Sequence, residues 1–452
     1  MKKMKAVQYT TSDGFFMRKT NVFASDIDVC GAFKIKTSEK PLRERFRGFG
    51  AAITGASCYE LNLMPSDCRR EFLRDIYTNK GLDLQVGRLT IASSDYSAEL
   101  YSYDDVKDDT ELKYFSVEKD EKYIIPMIRE VLAVRPDLYL FASPWSPPGW
   151  MKTGGSMCGG YMREKYLECY ARYIVKFLEE YERRGIKVSA VTPQNEPHAE
   201  QDAKYPTCMW HPEFEAEFIL KIRKKLDDAG KNTEIWMHDH GFEKWSKILW
   251  CLKEYPRLLD ACGSVAFHYY DYYIEMTDKI REEYPDIKFH FTEGGPRLYN
   301  NYSTDWCKWG IMMAKALNRG FLTFTGWNLL LDETGGPNIG PFSCGGLATY
   351  NSQTEEISYS GQYRALRHFS GFIKKNAEIY PAKAEIQGMN ISMFPANCIN
   401  VEVCAVKNDD GSFVLQIANA NSYKAQLQYF YMGKQWYIEA LPNSLSTVVF
   451  ED

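Results

Sequence analysis

From Arg45 onward, short apolar runs that end in polar or Gly-rich loops alternate with amphipathic stretches of helical period. The alternation recurs at roughly 30 to 50 residues, the signature of βα units and a parallel sheet. Eight runs read as strands: FRGFGAAI near 46, LQVGRLTI near 84, LYLFASPW near 138, KVSAVTPQ near 187, EIWMHDH near 234, SVAFHYY near 264, KFHFTEG near 288 and FLTFTGWN near 321. Eight strands with helices between them predict an α/β fold, a (β/α)8 TIM barrel with long loops over residues 45–370. In the stretch 163–184, Tyr166, Tyr170, Tyr173, Ile174, Phe177 and Leu178 fall at helical spacing. That stripe reads as the core face of a helix rather than a ligand surface. Residues 1–44 show short alternating stretches such as FKIKTS and no helical period. After Ser370 the helical periods stop again, and INVEVCAVKNDDGSFVLQIANANS reads as a hairpin around Asp410-Gly411. Residues 371–452 are therefore predicted to be a β domain, and 1–44 to supply further strands to the same side β-sandwich.

Composition narrows the function more than the fold. Hydrophobic content of 45% and charged content of 25% fit a folded globular protein. The 15% aromatic content suits a sugar-binding surface as well as a large core. A formal net charge of -5 gives no basic footprint, so no nucleic-acid partner is expected. Runs such as KIRKK, Lys221 to Lys225, sit among acids and read as solvated helix faces. No stretch reaches the length of a membrane span, and the basic start MKKMKAVQYTTSDG has no apolar segment behind it, so neither a membrane span nor export is expected. The 12 cysteines show no CxxC pair and read as reduced thiols, which suggests a cytoplasmic protein.

In such a barrel, chemistry collects at the C-terminal ends of the strands. The fourth run ends in Asn195 and Glu196, the seventh in Glu293, the sixth in His268 and Tyr270, the third in Trp145 and the eighth in Trp327. Glu196 and Glu293 lie three βα units apart, which sets them across the barrel from one another. Either alone reads as a turn or strand-end acid; paired at two strand ends among aromatics, they supply what glycosidic cleavage needs. One carboxyl protonates the leaving oxygen, and the other attacks or activates water. A rival constellation is His238, Asp239 and His240, an HxH spacing that, with His268 and Asp271, would suit a metal-dependent hydrolase. With only seven histidines and no further ligand set at metal spacing, no metal and no cofactor is expected, and His240 and His268 are read as substrate contacts. A non-catalytic carbohydrate-binding protein would be signalled by loss of either carboxylate, and both are present. There is no GxSxG elbow, and GFGAAITG lacks the Lys-Ser/Thr ending of a phosphate loop.

The segments RGFGAAIT, GRLTIASSDYS, ASPWSPPGWMKTGG, YARYIVKFLEEYERRGIKVSAVTPQNEP, HYYD, TEGG and GWNLLLDETGGPN resemble, in order and spacing, glycoside hydrolase family 30, and most closely its glucosylceramidase-like branch. The resemblance runs from about Phe46 to Gly371. It implies a retaining β-glycosidase acting on small carbohydrates, with Glu196 as general acid/base and Glu293 as nucleophile. It further implies that Asn195 bonds the sugar 2-OH, that Trp145, Tyr270 and Trp327 wall the sugar, and that Arg88 lies near the nucleophile. One departure stands out. The family pattern has Asp where this chain has Gly55, and that Asp resembles a clamp for the far hydroxyls of glucose. The change leaves β-xyloside, β-fucoside and β-galactoside specificities open beside β-glucoside.

Overall fold

The computed structural model describes residues 5–24, 32–199, 203–270, 273–386 and 400–451. Each of the eight apolar runs holds barrel strand: Gly48–Ala52, Val86–Ile91, Tyr139–Pro144, Val188–Val191, the pair Glu234–Ile235 and Met237–Gly241, Ser264–His268, Lys288–Glu293 and Phe321–Gly326. Neighbours are parallel, and the eighth strand returns to the first with Phe324 opposite Phe49. The fifth strand comes in two pieces: Glu234–Ile235 pairs with strand four and Met237–Gly241 with strand six. Trp236 interrupts it. Its side chain fills the barrel interior with Val86, Phe141, Ala190 and Ala266, and its ring stacks 3.6 Å from that of His290. The strands are buried on both faces, which is why they read as near-continuous apolar runs. In the helix Leu167–Arg183 the stripe from Tyr170 to Leu178 is buried, and Tyr170 stacks on Phe218 of the neighbouring helix Pro212–Asp228.

Two irregularities in this sheet prepare the site. Strand six pairs Ala266 with His238 but Phe267 with His240, so Asp239 is an extra residue in strand five. His238 and Asp239 both have positive φ there, +81° and +48°. On the other side Phe267 pairs with Phe291 but His268 with Glu293, so Thr292 is extra in strand seven. Bulges of this kind re-aim side chains; here both extra residues turn toward each other, and the Thr292 hydroxyl donates to the Asp239 carboxylate at 2.6 Å.

The chain ends form a separate ten-stranded sheet. The N-terminal strands Lys5–Ser12, Phe15–Ala24 and Phe33–Thr37 lie among seven from the C-terminal part, 378–451. The two ends of its hydrogen-bonded order, Glu378–Tyr380 and Ala382–Ile386, are consecutive in the chain across Pro381, so the sheet folds over on itself as a sandwich. Val403, Leu415, Leu427, Ile438 and Val448 are buried inside it. The hairpin at Asp410-Gly411 joins Val401–Lys407 to Phe413–Asn419, with Gly411 at φ +88°. The sandwich is seated on the last barrel helices. A side chain at Gly310 would collide with Leu445, and His368 lies 2.8 Å from Thr11 and 2.9 Å from Thr447. Among the described residues ten cysteines are free thiols, and no helix is long and apolar enough to cross a membrane.

Candidate active site

The site is built outward from a fully buried ion pair. Arg88 of strand two sends Nη2 to Asp239 Oδ2 at 2.8 Å. Such a pair is stable only when the remaining polar atoms are satisfied. Ser143 and Thr192 also donate to Asp239 Oδ2, at 2.9 and 2.7 Å, and Thr292 donates to Oδ1. Burial alone would raise the Asp239 carboxyl, but Arg88 and His268 hold it well below the ordinary range. Asp239 therefore anchors His268, whose Nε2 lies 3.1 Å from its Oδ1. The other ring nitrogen, Nδ1, is 3.0 Å from Glu196 Oε1 and 3.7 Å from Glu293 Oε1. Burial would lower His268, yet the surrounding carboxylates, Glu293 and Asp239 foremost, push it up to about 10.

Glu196 follows strand four in a left-handed conformation, φ +45°, that a non-glycine residue adopts only when its surroundings impose it. Its N–H donates to the Asp239 carbonyl at 3.0 Å, so the bulge that places Asp239 also fixes Glu196. Glu293 leaves the strand-seven bulge with both oxygens engaged: Arg88 Nη1 donates to Oε2 at 2.5 Å and the Tyr270 hydroxyl to Oε1 at 2.7 Å. Carboxylate oxygens of Glu196 and Glu293 and a ring nitrogen of His268 all lie within 4.8 Å of one another. Burial pushes Glu293 above the ordinary range against His268 and Arg88, with Glu196 adding to the rise. Glu196 is half-buried; desolvation would raise it, but the His268 hydrogen bond and charge bring it below that range. These groups exchange protons as one system. Three donor atoms in this arrangement have the composition of a cation site, and a cation there would compete with the proton that the carboxylates favour on His268.

Above the carboxylates is a cavity of about 330 Å³. Trp145 and Trp327 stack at 5.1 Å on one side of it, with the Arg88 guanidinium 4.9 and 5.4 Å from their rings. Asn195 Oδ1 accepts from Arg88 Nη2 at 2.8 Å, which leaves its amide hydrogens for a ligand hydroxyl. Tyr270 lines the cavity too, and its hydroxyl holds the Glu293 carboxylate, a contact that strand counting did not reveal. His240 reaches the same cavity, its Nδ1 accepting from Gly241 N–H while Nε2 is buried without a hydrogen-bond partner. Wider hollows of about 870 and 630 Å³ lie elsewhere, among outer helices and where the last helices meet the sandwich, and no residue of the Arg88–Asp239 network lines them.

Gly55 and Asp95 are placed differently with respect to the cavity. Gly55 opens the helix Gly55–Leu63, and a Cβ there would meet Ser97 Oγ at 3.1 Å; it is not among the cavity's lining residues. Asp95, on the loop after strand two, does line the cavity, and its Oδ1 is buried without a hydrogen-bond partner. Burial, with Glu293 and Glu196 nearby, raises its carboxyl well above the ordinary range. The sequence contained a signal for it, because SSDYS follows strand two just where functional residues collect.

A sequence profile for the glycosyl hydrolase family 30 TIM-barrel domain matches residues 46–373. The chain belongs to glycosyl hydrolase family 30. It is 28% identical to putative glucosylceramidase 4 of Caenorhabditis elegans, over 99% of this chain and 89% of that protein. It is 29% identical to an endo-1,6-beta-D-glucanase of Neurospora crassa, over 83% of this chain and 79% of that protein. In structure it is similar to SrfJ from Salmonella typhimurium, with a TM-score of 0.90 at 24% identity, covering 99% of this chain and 100% of that one. A family 30 member is a glycoside hydrolase. The other histidine constellation does not assemble: His238 is buried with Nε2 on the Gly241 carbonyl at 3.1 Å, and Asp239 is committed to Arg88 and His268. Asp271 lies outside the described residues.

Proposed function

We propose that this family 30 enzyme is a retaining, exo-acting β-glycosidase that takes small β-glucosides. The observation that carries the reading is the approach of Glu196 and Glu293 oxygens to within 4.8 Å. A retaining pair stands about 5–5.5 Å apart, and an inverting pair about 6.5–9.5 Å, to leave room for water. Glu293, oriented by Arg88 and Tyr270, attacks the anomeric carbon. Glu196 protonates the departing oxygen with a proton it shares with His268, and then deprotonates the water that releases the sugar. The net reaction consumes water and returns both carboxyls to their starting states. Asp95 supports a gluco-configured sugar, as a carboxyl with an unpartnered oxygen that can hydrogen-bond hydroxyls far from the anomeric carbon. The cavity, near the lower end of the range of about 300–1,000 Å³ for ligand sites, suits one sugar ring. The scattered thiols support a cytosolic site of action.

The test is a panel of nitrophenyl β-glycosides of glucose, xylose, fucose and galactose, with the first-formed anomer followed by proton NMR. Hydrolysis of the glucoside with release of β-glucose is the expected result. First release of the α-anomer would overturn the retaining reading, and a clear preference for another sugar would overturn the glucoside reading.

A further inference from the structure

Beside Asp95, residues of three loops meet along the cavity. The loop after strand eight is stiffened from within: Asn338 Oδ1 accepts from Gly340 N–H at 2.7 Å, and Asn338 Nδ2 donates to the Phe342 carbonyl at 2.6 Å. It is tied to the strand-two loop by Ile339 N–H donating to the Asp95 carbonyl at 2.6 Å. The packing is close. A Cβ on Gly340 would stand 3.3 Å from both Asp95 Cβ and Phe342 Cδ2. Phe342 then meets Tyr205, from the loop after strand four, edge to face, with ring centroids at 5.2 Å and 76° between planes. Tyr205 is buried, Phe342 is half-buried, and both line the cavity. Ile339 and Phe342 also pack on the apolar cluster that contains Trp145 and Trp327.

We propose that Tyr205 and Phe342 are specificity-determining residues, a clasp that closes the cleft beyond the non-reducing end of the bound sugar and thereby sets release of one terminal sugar per cleavage. This rests on the assignment of Glu196 and Glu293 above. With the anomeric carbon between those carboxyls, the leaving group departs on the Glu196 side, where His240 and Lys244 line the cavity. In this pose the opposite end of the ring is set against Asp95, whose Oδ1 is buried without a partner in the cavity lining. A preceding sugar would have to pass through the Asp95–Gly340 contact or the Tyr205–Phe342 pair, and close-packed walls do not give way by a sugar's width. A cleft open at that end would admit internal cleavage of a chain; this one takes chain ends.

The experiment uses the full chain with p-nitrophenyl β-glucoside and with the same compound carrying a second glucose β-linked at O-6. From the disaccharide substrate an end-acting enzyme releases glucose first, whereas an enzyme with room beyond the sugar releases nitrophenol and the intact disaccharide. Wild type is expected to give glucose, with free disaccharide below about 1% of first products. Phe342→Ala and Tyr205→Ala are each expected to raise the disaccharide share by about tenfold or more. Because the share is a ratio of products from one substrate in one preparation, a general loss of activity cancels. Intact disaccharide as a major wild-type product, or an unchanged share in both variants, would overturn the clasp. Failure of the catalytic assignment looks different: Glu293→Ala hydrolyses both substrates within tenfold of the wild type.

Discussion

Two carboxylates lie buried in this barrel with tyrosines donating to them. Asp120, in the short turn Glu118–Lys122, accepts from Tyr101 at 2.5 Å, Tyr103 at 2.6 Å and Tyr181 at 2.7 Å. Glu293 accepts from only one tyrosine, Tyr270, and its second oxygen takes a guanidinium. Asp120 is enclosed by the aromatic side chains of the outer core, whereas Glu293 opens on a cavity with Glu196 across from it. Phenol donors favour the ionised carboxyl through hydrogen bonds alone, whereas a guanidinium adds a full opposite charge to its hydrogen bond. Burial raises both carboxyls, but only Glu293 has a cation paired with it and a cavity in front of it.

The largest effect should come from breaking the second kind. Glu293→Ala is expected to cut kcat on the order of 10⁵-fold with the protein still folded. Azide should restore part of the activity and yield the glycosyl azide of inverted anomeric configuration. A variant with activity within tenfold of wild type would contradict the nucleophile role. Glu196→Gln should follow, at about 10²–10⁴-fold. Its defect should shrink as the leaving group becomes more acidic, because a good leaving group needs less protonation. An equal loss across a leaving-group series, measured as kcat/KM, would place Glu196 outside proton transfer.

His268→Asn sharpens the contrast further, through pH. In wild type the acidic limb of kcat/KM should lie above the ordinary carboxylate range, because Glu293 must be ionised and burial raises it. Activity is lost as pH falls through that value. The alkaline limb reports loss of the proton shared by Glu196 and His268, and His268 holds it up to about 10. With His268 gone the proton rests on a carboxyl alone, so the alkaline limb should move down by several units, with a fall of about tenfold at the optimum. An unmoved alkaline limb would show that His268 only packs.

How much of this was legible in the chain depended on whether a feature was local. The eight strands and the helix at Leu167–Arg183 announce themselves because burial on both faces, or on one helical stripe, is written at each position. Glu196, Glu293, Trp145, Trp327 and Tyr270 were found by one rule, that functional residues sit at strand ends, and the structure gathers all five around one cavity. The same rule would have reached Asp95 in SSDYS, but the resemblance drew attention to Gly55 instead. Asp239 was hidden differently. In HDH the flanking histidines look like a metal pair, and only the extra residue in strand five turns Asp239 onto Arg88 and His268. The bulges depend on register between strands distant in sequence, and the Tyr205–Phe342 contact joins loops from strands four and eight; neither leaves a periodic trace. The sandwich was foreseen as β structure, whereas its pairing of Lys5–Ser12 between Ser444–Glu451 and Phe15–Ala24 is a long-range fact.

The smallest predicted effect belongs to Asp120 and concerns stability rather than rate. Burial raises its carboxyl against three tyrosine hydrogen bonds and the Arg184 charge, so the folded chain binds a proton there more tightly than the unfolded chain does. Between the ordinary aspartate value of 3.8 and the raised folded value, the native state carries the extra proton, and stability falls as pH rises through that window. Above the window the contribution is flat. Asp120→Asn removes the titration and disturbs the three hydroxyls, which should lower stability by on the order of 1–3 kcal/mol at neutral pH. The loss should be larger at the acid end of the window, where the protonated wild type is at its best relative to the variant. Urea melts at a series of pH values would show the gap between the two proteins narrowing as pH rises, with kcat per folded molecule within about twofold of wild type. A gap that widened with pH would mean that the tyrosines, not burial, dominate and that Asp120 is held as an anion like Asp239. A large loss of kcat in the folded variant would mean that the two buried carboxylates are coupled after all.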